Sequence, residues 1–111
     1  MRLGYVLENE KQGEDVTSYE LVQKLKQLKQ TLRQEFGIEQ IALFGSYARN
    51  EAKEGSDIDI AILKMDKKDL TKRLQAKVFL ERQLESSVDI GYFDSMRTFI
   101  KNRIKQDFIY V

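Results

Sequence analysis

The chain has 111 residues, of which 41% are hydrophobic and 33% charged, and its formal net charge is +1. That suffices for one small domain with a real core, and it gives no strong global field for nucleic acid or a membrane surface. It contains no Cys, His or Pro, which excludes disulfides, thiolate metal sites, Ser-His-Asp triads, a His general base, the usual His zinc sites and any proline-marked linker. Chemistry is left to carboxylates, Lys, Arg, Ser, Thr and Tyr, and oxygen ligands favour a hard cation such as magnesium.

No apolar run approaches the roughly 20 residues of a membrane span, and residues 1–15 lack the apolar centre of a signal peptide. A soluble, cytoplasmic protein is expected. Residues 1–16 mix Leu3, Tyr5, Val6 and Leu7 with polar positions and read as an arm of unclear structure, extended or holding a short strand. The domain proper begins at residue 17.

Thr17 followed by Glu20 is a capping-box pattern. Leu21, Leu25, Leu28, Leu32 and Phe36 then recur at spacings of three and four, with Lys24, Lys26, Lys29 and Arg33 largely off the stripe. This predicts an amphipathic helix with a solvated basic face, ended by Gly37. Ile38 to Phe44 reads as a buried strand stopping at Gly45. Residues 46–53 suit a short helix opening at a tight turn, and Gly55 breaks it. Residues 57–63 (DIDIAIL) form a second strand, and residues 66–86 a helix whose apolar face carries Leu70, Leu74, Val78, Leu80 and Leu84, with Phe79 turned away. Residues 88–93 (VDIGYF) are a third strand, Ser95 can cap a helix carrying Met96, Phe99, Ile100 and Ile104, and residues 108–111 can add a last strand. The order implies an α/β (α+β) domain, one sheet of about three to five strands flanked by helices.

The residues with chemical potential cluster in the middle. Asp57 and Asp59 sit at i and i+2 of a strand, so their side chains share a face with Cα atoms roughly 6.5–7 Å apart. Two carboxylates so placed can converge on one or two divalent ions. Taken alone, DID equally fits a strand that begins at the solvent edge. Asp89 lies between Val88 and Ile90 in another apolar strand; if the strands are neighbours it joins the first two acids, and three carboxylates together repel unless a cation neutralises them. Gly45-Ser46 runs from a strand into a helix, presenting N–H groups and a hydroxyl suited to phosphate, with Arg49 one turn on and able to reach the same group. The turn is not a Walker A loop. Phe79, Tyr92 and Tyr110 read as half-buried aromatics more readily than as a partner surface.

Together these features carry a pattern: Gly45-Ser46, ten residues, then Asp57-Ile58-Asp59. With GSYAR, SDIDIAIL and the downstream VDI, this resembles the GSX10DXD signature of minimal nucleotidyltransferases in the DNA polymerase beta-like superfamily. The likeness covers nearly the whole chain and is nearest to MntA-type antitoxins, partners of HEPN toxins of the HepT type. It implies the polymerase-beta-like fold, a triphosphate held at Gly45 and Ser46, magnesium (two ions) held by Asp57 and Asp59, and Asp89 completing the metal site and helping activate the acceptor hydroxyl. It implies AMP transfer from ATP onto a tyrosine of a HEPN toxin, in a type VII-like toxin–antitoxin pair, as a homodimer or a hetero-oligomer with the toxin. A HEPN motif needs a His, so this chain is not itself the toxin. Two alternatives stand beside this reading: transfer to a small-molecule or RNA hydroxyl, and an antitoxin that neutralises by binding alone.

Overall fold

A computed structural model describes residues 17–111, so the expected arm at 1–16 lies outside the described residues. The first helix, α1 (Ser18–Phe36), begins as the sequence predicts. Thr17 Oγ1 accepts from the Glu20 N–H at 3.1 Å, and Glu20 Oε1 accepts from the Thr17 N–H at 3.0 Å. Its end is set by Gly37, left-handed at φ 70°, whose N–H donates to the Arg33 carbonyl. Leu21, Leu25 and Leu32 are buried, while Lys24, Lys26, Lys29 and Arg33 stay in solvent.

Four strands follow: β1 (Ile38–Phe44), β2 (Ile58–Met65), β3 (Val88–Tyr92) and β4 (Ile109–Tyr110). They form one mixed sheet in the order β3-β2-β1-β4. β2 runs antiparallel to β1 and parallel to β3, and β4 closes the other side antiparallel to β1 at Ala42 and Leu43. The parallel pair needs a crossover, which α3 (Leu70–Leu84) supplies. α1 and α3 pack on the sheet around Leu43, Ile58, Ile60, Leu80 and Val88, all buried. Between β1 and β2 stands one short helix, α2 (Gly45–Ala48); after a 3-10 turn at Phe93–Ser95 comes α4 (Thr98–Lys105).

Several boundaries and one face differ from expectation. The helix expected over 46–53 stops at Ala48, because Asn50 turns left-handed at φ 58° and the Glu51 N–H closes on the Ser46 carbonyl at 2.8 Å. α3 starts later than residue 66, where Asp69 caps it by accepting from the Lys72 N–H, and Glu85, left-handed at φ 53°, ends it. Its expected apolar face is only half right: Leu80 and Leu84 are buried with Ala76, whereas Leu70, Leu74 and Val78 face solvent. Phe79, expected to turn away, packs toward the core with its ring 5.5 Å from that of Phe36. Ser95 does not cap α4: it falls in the 3-10 turn, and Arg97 holds the N-cap position without a side-chain bond. Of the tyrosines, Tyr92 is half-buried and Tyr110 exposed.

Candidate active site

The acids expected to act together meet at one end of the sheet. Asp59, the second residue of β2, is the direct register partner of Asp89 in the parallel strand β3. Neighbouring strands are about 4.8 Å apart, so the two backbones hold these carboxylates side by side. Their side chains leave the sheet on the face opposite Ile58 and Ile60, which are in the core. Asp57 lies one residue before β2 rather than within it, but the junction is pinned: the Ile58 N–H donates to the Ser87 carbonyl at 2.9 Å. Asp57 therefore stays at the same end of the sheet as Asp89.

Across its other edge, Asp59 pairs with Phe44 of β1, the residue before Gly45. The turn of α2 thus sits on the Asp59 carboxylate. Gly45 has φ +78°, and a Cβ built there would lie 3.1 Å from Asp59 Cγ and closer still to Oδ2. Gly is required twice over, by the left-handed backbone and by the close approach. No side chain caps α2, whose N-cap residue is Phe44, so the backbone N–H groups opening this turn have no side-chain partner.

The electrostatics follow from this crowding. Asp59 is half-buried, and its pKa is pushed from an ordinary 3.8 up to about 6, first by burial and then by the charges of Asp89 and Asp57; Arg49 pulls the other way. Asp57 and Asp89 are exposed. Among the described residues no three acidic side chains close into a ready-made metal cage. The donor set is nonetheless all oxygen and carries a surplus of negative charge at Asp59, the condition that a hard divalent cation relieves.

The family follows from the whole chain as well as from this site. A family model described as a nucleotidyltransferase domain matches residues 25–111. The chain belongs to the nucleotidyltransferase family. Among its relatives is the protein adenylyltransferase MntA of Thermococcus cleftensis, 36% identical over 83 residues that span 75% of this chain and 84% of that one. Among solved structures, one described provisionally as a minimal nucleotidyltransferase superposes with a TM-score of 0.71 at 25% identity, over 87% of this chain and 98% of the other. A toxin–antitoxin crystal structure with AMP-PNP matches at TM-score 0.58 and 34% identity, over 70% of this chain and 61% of that one. A Shewanella oneidensis tri-AMPylated HEPN toxin in complex with its MNT antitoxin gives a TM-score of 0.54 at 25% identity, over 84% and 66% of the two chains.

Arg49, expected to reach the phosphate at this turn, pairs with two acids in the fold. It lies just past the end of α2, exposed, and its guanidinium is bound to Asp107 Oδ2 at 2.6 Å and Glu51 Oε1 at 2.9 Å. Its field reaches Asp59, but its donors tie the α2 turn to the end of α4. Asp107 is 58 positions away, so no local pattern could have flagged it. A second unforeseen tie is Asn50, whose Oδ1 accepts from the Ser18 N–H at 2.7 Å and links the turn after α2 to the start of α1. No helix is long and apolar enough to cross a membrane among the described residues.

Proposed function

We propose that this chain is a magnesium-dependent protein adenylyltransferase that moves AMP from ATP to a tyrosine hydroxyl of a cognate HEPN toxin, as the antitoxin of a type VII-like pair. The observation that carries the reading is the parallel register of Asp59 with Asp89 beside the uncapped Gly45-Ser46 turn. The relative named MntA and the complex holding an AMPylated HEPN toxin support the acceptor. The complex with AMP-PNP supports ATP as donor.

In this reading residues 17–111 form the minimal catalytic domain. The backbone N–H groups at Gly45 and Ser46, with the Ser46 hydroxyl, hold the triphosphate at the open turn. Asp57, Asp59 and Asp89 would hold the metal. Bound magnesium would lower the acceptor's pKa and offset the triphosphate charge. The tyrosine oxygen bonds to the α-phosphorus, the bond from that phosphorus to the bridging oxygen breaks, and pyrophosphate leaves. The Asp89 carboxylate, exposed on the acceptor side, takes the tyrosine proton. Positioning and preset charge do most of the work, as phosphoryl-type transfer requires no covalent chemistry from the protein.

The test is to incubate the purified chain with ATP, magnesium and the toxin, and to weigh the toxin by mass spectrometry. Added AMP units on a tyrosine are expected. Label on RNA or a small molecule instead would move the acceptor. Full neutralisation by an Asp57→Ala, Asp59→Ala variant without ATP would replace catalysis by occlusion.

A further inference from the structure

The turn that carries Gly45 and Ser46 has little support of its own. α2 is four residues long and no side chain caps it. A single hydrogen-bonded turn fixes several residues for little return, so it persists only where tertiary contacts hold it. Left-handed backbone brackets it, at Gly45 (φ 78°) and Asn50 (φ 58°). Tyr47 and Ala48 pack on the core and anchor its middle. The residues on either side of the turn, Phe44 and Arg49, are held by two consecutive residues from the far end of the chain. The Phe108 ring lies 6.1 Å from that of Phe44, and Asp107 Oδ2 accepts from Arg49 Nη1 at 2.6 Å.

Asp107 is itself fixed. Its N–H donates to the Ile104 carbonyl at 2.9 Å, the Phe108 N–H donates to the Lys105 carbonyl at 3.2 Å, and the two residues after Phe108 form β4 against β1. Its side chain is 21% exposed, so solvent competes weakly for the bond to Arg49. From there the constraint passes inward bond by bond. The Asp107 carboxylate holds the Arg49 guanidinium, and the Arg49 N–H donates to the Gly45 carbonyl at 3.1 Å. Gly45 in turn is the residue with no room for a Cβ beside the Asp59 carboxylate. Glu51, the other acid on Arg49, lies two positions along the same loop and ties it to no other element.

We propose that Asp107 is a positioning residue for nucleotide binding: acting through Arg49, and together with Phe108, it braces the α2 turn so that Gly45 and Ser46 keep their place beside Asp59. The inference rests on the reading that this turn receives the triphosphate. It assigns Arg49 to the brace rather than to the phosphate, and the two roles differ in sign. If Arg49 were a phosphate ligand held back by Asp107, Asp107→Asn would free it, remove a negative charge near a polyanion and tighten binding. In a brace, the same change loosens the turn and weakens binding.

The probe is AMP-PNP with magnesium, titrated calorimetrically into the purified chain without toxin. Asp107→Asn and Arg49→Ala should each weaken binding about tenfold, and the double variant should lose no more than either alone, because both break the same link. Asp107→Glu should recover most of the affinity. Glu51→Gln, which removes the same charge from the other side of Arg49, should stay within about twofold of the native chain. A melting curve for each variant shows that the titrated protein is folded; a bond with a purely structural role would lower Tm and leave the affinity of the folded protein unchanged. Unchanged or tighter binding in Asp107→Asn, additive losses in the double variant, an equal loss in Glu51→Gln, or no binding by the native chain would each overturn the proposal. Failure to label the toxin bears on the tyrosine acceptor, whereas these affinities alone decide the brace.

Discussion

Gly45→Ala tests whether the α2 turn and Asp59 work as one unit. Two costs are built in. An Ala at φ +78° is left-handed, which costs about 1–2 kcal/mol for a residue with a Cβ. The added methyl would also overlap the Asp59 carboxylate, 3.1 Å from Cγ and closer to Oδ2, and relieving such overpacking costs a further ~1–3 kcal/mol. Gly55 supplies the control, since its φ is +87° and a Cβ there would meet nothing within 4 Å. Gly55→Ala carries the strain alone.

Thermal unfolding of a domain this size shifts about 4–8 °C per kcal/mol. Gly55→Ala should lower Tm by roughly 4–16 °C, and Gly45→Ala, which carries both costs, by roughly 8–40 °C. The activities should separate further. Relieving the overlap moves the carboxylate or the turn by about 1 Å, a displacement worth around 100-fold in rate, so Gly45→Ala should lose about 100-fold in AMP transfer while Gly55→Ala keeps nearly all. The assay is label transfer from ATP to the toxin beside a melting curve for each variant. Equal Tm losses in the two variants, with transfer intact in Gly45→Ala, would refute the coupling.

Other outcomes follow from the same geometry. Asp59 titrates near pH 6 in the fold and near 3.8 unfolded, so between those values the folded state holds the extra proton. Stability of the metal-free protein should therefore fall as pH rises from about 4 to 6 and then level off, by on the order of 1 kcal/mol after discounting for exposure; Asp59→Asn should flatten that slope in chelator-treated melts and abolish transfer. Asp89→Asn should abolish transfer with Tm nearly unchanged, because Asp89 is exposed, and magnesium-dependent activity in that variant would exclude its role as base. Leu80→Ala opens a cavity at a fully buried position and should cost about 2–5 kcal/mol by denaturant titration. Thr17→Ala removes the α1 cap and should cost about 1 kcal/mol.

The sequence disclosed elements wherever local chemistry alone decides them. The Thr17-Glu20 box and the 3.6-residue apolar period specify α1 without outside help. The runs around Ile60 and Ile90 read as buried strands, and in the register with which β2 and β3 pair, Asp59 and Asp89 meet. What stayed hidden depends on distant partners. Residues 49–53 have the composition of a helix, but the left-handed Asn50 and the tie from Arg49 to Asp107 end it. On α3 the larger apolar residues suggested the core side, yet the small Ala76 is buried there with Leu80 and Leu84, and Leu70, Leu74 and Val78 are left outside. A small residue at a packing contact is a weaker sequence signal than three large ones, though it decides the orientation.

The site also shows why catalytic geometry and stability oppose each other in so small a domain. The register that seats Asp59 against Asp89 puts like charges on adjacent strands, and the turn at Gly45 covers Asp59 enough to raise its pKa. Without a cation the fold carries an acid it would hold more comfortably as an amide. The deep core of Leu25, Leu43, Ile60 and Leu80, each almost wholly shielded from solvent, lies on the other face of the same strands and offsets that cost. Strand alternation thus divides β2 between two tasks: Ile58, Ile60 and Ile62 hold the sheet together, and Asp59 stays in an environment whose strain a divalent cation and a nucleotide would relieve.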